Sequence, residues 1–135
     1  MVERVTPFLM FEGKAEAALD LYVRLIPGAV VTRMAFYGPG GPGPEGQVSQ
    51  AAFSLGGRDF ICMDSPVHHA FTFTPSVSLF LDCSDEAELE RLFTGLAEEG
   101  EVLMALADYG FSRRFGWVND RFGVSWQLNL PADGA

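Results

Sequence analysis

Positive charge is scarce in this 135-residue chain: nine Lys and Arg stand against 18 Asp and Glu, a formal net charge of −9 at pH 7. An acidic surface repels phosphate backbones and anionic lipid, which argues against nucleic acid and membrane surfaces as partners. Long apolar runs are missing too, and no segment is long enough to span a bilayer as a helix. The opening residues, Met1-Val2-Glu3-Arg4-Val5-Thr6-Pro7, lack the basic, apolar and small-residue regions of a secretion signal. Cysteine is limited to Cys62 and Cys83, both inside apolar strand-like runs. That pattern suits reduced, buried thiols in a cytoplasmic protein, not a disulfide framework. No phosphate loop or dinucleotide fingerprint is present. The dense glycine run Gly38-Pro39-Gly40-Gly41-Pro42-Gly43-Pro44 is full of proline and joins two expected strands.

What the chain does have is apolar mass. Hydrophobic residues make up 48% and aromatic residues 13%, enough at this length for a single domain with its own core, spanning 1–135. Val5 to Phe11 reads as a strand, with Pro7 near its start where a missing N–H is tolerated. Ala18, Leu21, Tyr22 and Leu25 follow at i, i+3, i+4 and i+7, one face of a helix that Pro27-Gly28 stops. Ala29–Phe36, Gln47–Leu55 and Asp59–Met63 are expected strands, the last two joined by a tight Gly56-Gly57 turn. The order then repeats. Ser76–Leu81 is an expected strand with Asp82 at its end, and Ser84 is a plausible N-cap. Leu89, Leu92, Phe93 and Leu96 form a helix face, and Gly100 ends that helix. Val102–Ala107, Arg113–Val118 and Val124–Leu130 close the chain as strands. The fold class is therefore α+β, with two βαβββ repeats over about 1–66 and 72–131. Such repeats are expected to form a curved sheet with helices on one face and a cleft on the other.

Alternation along strands assigns faces. In the last strand Val124, Trp126, Leu128 and Leu130 should pack under a helix, leaving Ser125, Gln127 and Asn129 for the cleft. In the strand from Ser76, Val77, Leu79 and Leu81 oppose Ser76, Ser78 and Phe80. In the first half both faces are apolar. There Phe8, Met10, Ile61 and Met63 are assigned to the helix side, and Pro7, Leu9, Phe11, Phe60, Cys62 and Asp64 to the cleft. A cleft of this mixed character suits a small organic ligand held by a few polar groups, with Cys62, Ser76, Ser78, Trp117 and Gln127 as candidate binding residues. The same faces could instead close on each other or on a second subunit.

Three stretches carry a family likeness. Pro7-Phe8-Leu9-Met10-Phe11-Glu12-Gly13-Lys14-Ala15-Glu16-Ala17, followed by Tyr22, resembles the opening of the PhnB-like branch of the glyoxalase/bleomycin-resistance (vicinal oxygen chelate) superfamily. Gly40 to Gly46 resembles the loop of that branch. Gly116-Trp117-Val118-Asn119-Asp120-Arg121-Phe122-Gly123-Val124-Ser125-Trp126-Gln127 resembles its closing signature. The resemblance covers nearly the whole chain and implies the fold and a homodimer. Members often carry the label 3-demethylubiquinone 3-methyltransferase. A methyltransferase of the usual kind, however, needs a doubly wound domain with a glycine-rich turn after its first strand, and none is present at that place.

Superfamily enzymes such as glyoxalase I hold a divalent metal with His and Glu from four strands. By that analogy the four positions fall on Pro7, Cys62, Ser76 and Gln127. Proline has no side-chain donor, serine and glutamine are weak neutral ligands, and one cysteine alone holds zinc or nickel poorly. No metal and no cofactor is therefore expected. The only histidine pair, His68-His69, follows Asp64, and these three are the alternative metal-ligand set. Cys62 as a nucleophile would need a positive neighbour. Asp108, Tyr109, Arg113 and Arg114 surround a second-half loop where rim residues would sit, and either arginine could grip a carboxylate. The acidic run from Asp85 to Glu90 and Glu98-Glu99 reads as a solvated helix face.

Three functions remain open. The first is a metal-free small-molecule-binding protein with an unknown organic ligand. The second is a metal-dependent lyase, isomerase or dioxygenase-like enzyme. The third is a drug-sequestering resistance protein.

Overall fold

The computed structural model describes residues 1–132. The backbone folds as two compact units divided between Thr72 and Phe73. The first unit runs β1 (Phe8–Phe11), α1 (Ala15–Leu25), β2 (Val30–Phe36), β3 (Val48–Leu55) and β4 (Arg58–Asp64). The second runs β5 (Leu79–Asp82), α2 (Glu86–Ala97), β6 (Glu101–Ala107), β7 (Arg114–Asn119) and β8 (Ser125–Leu130). The sheet orders are β1-β4-β3-β2 and β5-β8-β7-β6. In each, the first strand pairs parallel with the last and the other pairs are antiparallel. The α+β order βαβββ thus occurs twice, as the spacing of apolar segments requires.

In the first unit α1 buries Ala15, Ala18, Leu19, Leu21, Tyr22 and Leu25. The strands oppose it with Phe11, Ala51, Phe53, Phe60 and Cys62, all buried, and Phe53 stacks on its cross-strand partner Phe60 at 5.3 Å between centroids. Each large apolar side chain buried this way contributes roughly 1.5–3 kcal/mol. Gly56 and Gly57 have φ of 55° and 81°, so the β3–β4 hairpin needs two residues in the left-handed region, as the two-residue turn predicts.

α1 carries no cap of its own: its N-cap is Lys14, with no side-chain hydrogen bond. The cap comes from β4. Asp64 Oδ1 accepts from the Gly13 and Ala15 backbone N–H groups at 2.8 and 2.9 Å, and Oδ2 accepts from Val48 N at 3.0 Å. One buried carboxylate therefore ties β4 to the start of α1 and the start of β3, satisfying donors that a helix end leaves unpaired.

This reverses the expected first-half faces. Phe11, Phe60, Cys62 and Asp64 are buried with α1, whereas Phe8 is exposed and Met10, Ile61 and Met63 are half-buried on the opposite face. With both faces apolar, alternation alone could not set the register. The N–H groups that Asp64 must reach do set it.

In the second unit Leu89, Leu92 and Leu96 of α2 are buried, as are Val118, Trp126, Leu128 and Leu130 of the sheet. A side chain at Gly116 would run into the Phe93 ring of α2 and a Leu106 methyl, so the sheet backbone comes close to the helix here and any larger residue must displace those side chains. The second-half face assignment therefore holds for β8. Three details differ from expectation. β5 begins at Leu79, not Ser76, and Val77 before it is exposed. The cap of α2 is Asp85, which accepts from Glu88 N at 2.8 Å, while Glu88 reaches back to the N–H and hydroxyl of Ser84. After α2 the left-handed residue is Glu99 (φ 60°), not Gly100. Gly100 is glycine for another reason, since a Cβ there would collide with the Asn119 carbonyl oxygen.

Candidate functional site on the second sheet

The face of the second sheet opposite α2 can be laid out row by row from the register. One row is Phe80, Gln127, Trp117 and Met104, and the next is Asp82, Asn129, Phe115 and Ala107. Beside the first row sits Ser125, whose hydroxyl oxygen accepts from Trp117 Nε1–H at 2.8 Å and lies 2.7 Å from Ser78 Oγ. The Trp117–Ser125–Ser78 chain fixes the indole against the sheet, so a half-buried ring is held at a set orientation. Gln127, half-buried next to it, has no side-chain hydrogen bond among the described residues. A fixed aromatic plane beside an unengaged amide can stack a flat or apolar group and orient it by one or two hydrogen bonds.

Of the sequence candidates, Ser78, Trp117 and Gln127 share this face. Ser76 does not lie in the strand. It is exposed in the preceding turn, with its hydroxyl 2.7 Å from Thr74 Oγ1. Cys62 is wrongly placed by the sequence reading: it is fully buried on the α1 side of the first sheet, and burial pushes its thiol pKa up to about 12, with the Asp64 charge adding to the shift. A protonated, solvent-shielded thiol is neither a nucleophile nor a cleft-lining group. Alternation places Ser125 on the cleft face with Gln127, but it is not among the candidate binding residues, because nothing in the pattern shows that it would hold the indole N–H.

The superfamily's metal positions can be tested on the donor set. Pro7 precedes β1 and offers only its backbone carbonyl, which accepts from Ile61 N. Cys62 points to the helix side, so its neighbours on the opposite face are Ile61 and Met63. Ser76 and Gln127 are neutral. This set does not fit a divalent ion. In the alternative set the side chains diverge. His68 Nδ1 meets Glu12 Oε1 at 2.8 Å, His69 Nε2 meets Ser65 Oγ at 2.8 Å with its ring tilted against Phe71, and both Asp64 oxygens are taken by backbone N–H groups. The His68 hydrogen bond holds the Glu12 carboxyl below its ordinary pKa. Glu12–His68 and Ser65–His69 thus fasten the segment after β4.

Arg114 faces away from the candidate site and pairs with Glu90 of α2 at 2.7 Å. Arg113 N donates to Leu130 O, and Asp108 Oδ1 accepts from Gly110 N. Tyr109 joins Phe111 and Phe115 in an aromatic cluster. The carboxylates of Glu98 and Glu99 lie 3.6 and 3.4 Å from the Arg121 guanidinium. Among the described residues no helix is long and apolar enough to cross a membrane.

Known proteins match this chain over nearly its full length. The family model described as 3-demethylubiquinone-9 3-methyltransferase matches residues 3–129. A putative 3-demethylubiquinone-9 3-methyltransferase, PhnB protein, from Bacillus cereus is 48% identical. It covers 95% of this chain and 99% of its own, with a TM-score of 0.91. Protein YjdN of Escherichia coli (strain K12) is 24% identical over 93% of this chain and 94% of its own. At 11% identity, 96% and 93% coverage and a TM-score of 0.61, the fosfomycin resistance protein FosX from Listeria monocytogenes shares the fold alone. The chain therefore has the twofold βαβββ fold of the glyoxalase/bleomycin-resistance superfamily and belongs to its PhnB-like family, the one described as 3-demethylubiquinone-9 3-methyltransferase.

Proposed function

We propose that this chain binds a small organic molecule on the face of the second sheet opposite α2, without a metal ion, through Trp117, Gln127, Ser125 and Ser78. The observation that carries the reading is the unengaged, half-buried amide of Gln127 beside an indole locked by Ser125. Family description does not supply methyl transfer here, because neither sheet is the parallel, doubly wound kind that such chemistry uses. The donor chemistry at Pro7, Cys62, Ser76 and Gln127 supports metal-free binding. We further propose one ligand-binding domain per chain, acting as a cytoplasmic homodimer. The exposed apolar side chains Val30 and Phe36 on edge strand β2 support a second copy.

Native mass spectrometry of the purified protein, without added metal, tests the reading. The expected result is a dimer mass free of divalent ions, with any organic adduct lost in the Trp117→Ala and Gln127→Ala variants. About one divalent ion per chain, retained in those variants and raising the melting temperature, overturns it and favours a metal-dependent enzyme.

A further inference from the structure

The second row of the same sheet face carries chemistry that the first does not. Asp82 and Asn129 are cross-strand partners, and Asn129 Nδ2 donates to Asp82 Oδ1 at 2.9 Å. A carboxylate accepts, so the atom facing it must be the amide nitrogen, which fixes which end of the amide is which. The atom left over is the amide oxygen. It is buried and accepts no hydrogen bond from the described residues, in a residue only 9% exposed. Buried acceptors are rarely left unpaired, so this oxygen retains capacity for one donor, a water or a ligand N–H, that reaches it once the covering side chains part.

The surroundings specify that donor. Phe115, the partner of Asn129 on the other side, meets Phe111 edge-on at 5.0 Å, Tyr109 at 6.2 Å and Phe80 at 6.3 Å. Phe80, Tyr109 and Phe111 are 53%, 41% and 63% exposed. Ring faces carry negative potential, Asp82 is a surface carboxylate with one further oxygen, and the orphan is an amide oxygen. All three attract N–H donors bearing positive charge, and the net charge of −9 draws such ligands in. An anion would meet Asp82, and a neutral alcohol would satisfy Asn129 while leaving the carboxylate unused.

We infer that the second row, Asp82, Asn129 and Phe115, with Phe80 of the first row and Tyr109 and Phe111 beside it, binds an organic ammonium ion whose apolar body lies on the rings. The inference rests on the proposed binding role of this face and names the ligand class for it.

The test compares two isosteric probes, 2-phenylethylammonium and 2-phenylethanol, by titration of the full chain at neutral pH. The indole N–H resonance of Trp117 is followed, with buried Trp126 as internal reference. The expected result is that the ammonium binds about tenfold tighter than the alcohol. Asp82→Asn, at an exposed position, should remove the preference of the site for the ammonium over the alcohol. Phe80→Ala should weaken both probes severalfold. If the alcohol binds as tightly as the ammonium, the ammonium assignment fails while ligand binding on this face stands. If neither probe moves the Trp117 signal, the ammonium assignment falls, and the native mass spectrum decides the binding role of the face separately. If the signal follows protein concentration and not probe, a second copy of the chain occupies the row and the assignment is overturned.

Discussion

Replacing Asp64 with asparagine should be among the most damaging isosteric changes available to this chain. The carboxylate is 1% exposed and accepts three backbone N–H groups, from Gly13, Ala15 and Val48. An asparagine can keep its oxygen toward Gly13 and Ala15, but its NH2 then faces the Val48 N–H, donor against donor. One charge-assisted bond worth about 1.5–3 kcal/mol is lost, and two others fall toward the neutral value of about 0.5–1.5 kcal/mol each. The relief of burying an amide in place of a charge offsets part of this. The net cost should be about 3 kcal/mol. With an unfolding entropy near 2.1 cal/mol/K per residue, 135 residues give about 0.28 kcal/mol/K. The melting temperature should therefore drop by about 10 °C. Asp64→Ala, which leaves all three donors orphaned, should cost more. Asp59→Asn, an exposed change on the same strand, is the control and should stay within about 0.5 kcal/mol. Urea unfolding followed by far-UV circular dichroism reads all three. If Asp64→Asn behaves like the control, the carboxylate does not hold α1 and β3 to β4.

Burial also raises the Cys83 thiol to about 11, with the charges of Glu88 and Asp82 adding to the shift, and Cys62 to about 12. Neither thiol should react with a disulfide reagent at pH 8 in the native state, and both should react in denaturant. One fast-reacting native thiol would show that this burial is wrong. The sign of the linkage follows: both states hold the thiol proton below the unfolded value near 9.0, and above it the unfolded chain ionises first. Stability should fall as pH rises from about 9 toward 11–12, and a flat alkaline profile would contradict it. Gly100→Ala should destabilise by about 1–3 kcal/mol because the new Cβ meets backbone, not a mobile side-chain end. A neutral effect in the same urea assay would mean that the α2–β6 connection shifts freely.

Most elements were legible because periodicity and turn residues agreed. The faces of α1 and α2, the Gly56-Gly57 hairpin and the polar side of β8 follow from spacing and φ demands alone. What failed in the first half was parity. Phe60 to Asp64 alternates between two apolar sets, and a sequence offers no reason to prefer one. The deciding contact, Asp64 with Gly13 and Ala15, spans about fifty residues and is invisible to local pattern. The absence of Ser, Thr, Asp or Asn before α1 was the available clue, since an uncapped helix start implies a remote acceptor. The site shows the same division. Gln127 and Ser125 share a face because polar-apolar alternation along β8 is unambiguous, whereas Trp117, on a strand apolar on both sides, is placed beside them only by the β7–β8 register. Cys62 was misassigned because its strand lacked that contrast. Asp82 and Asn129 sit at equivalent positions on two parallel strands, yet the register that pairs them appears only once β5 is docked on β8. Binding groups that depend on pairing between distant strands are therefore the part of this molecule that composition and periodicity cannot supply. The row proposed to bind an ammonium ion, which is brought together only through the β5–β8 and β7–β8 registers, is of that kind.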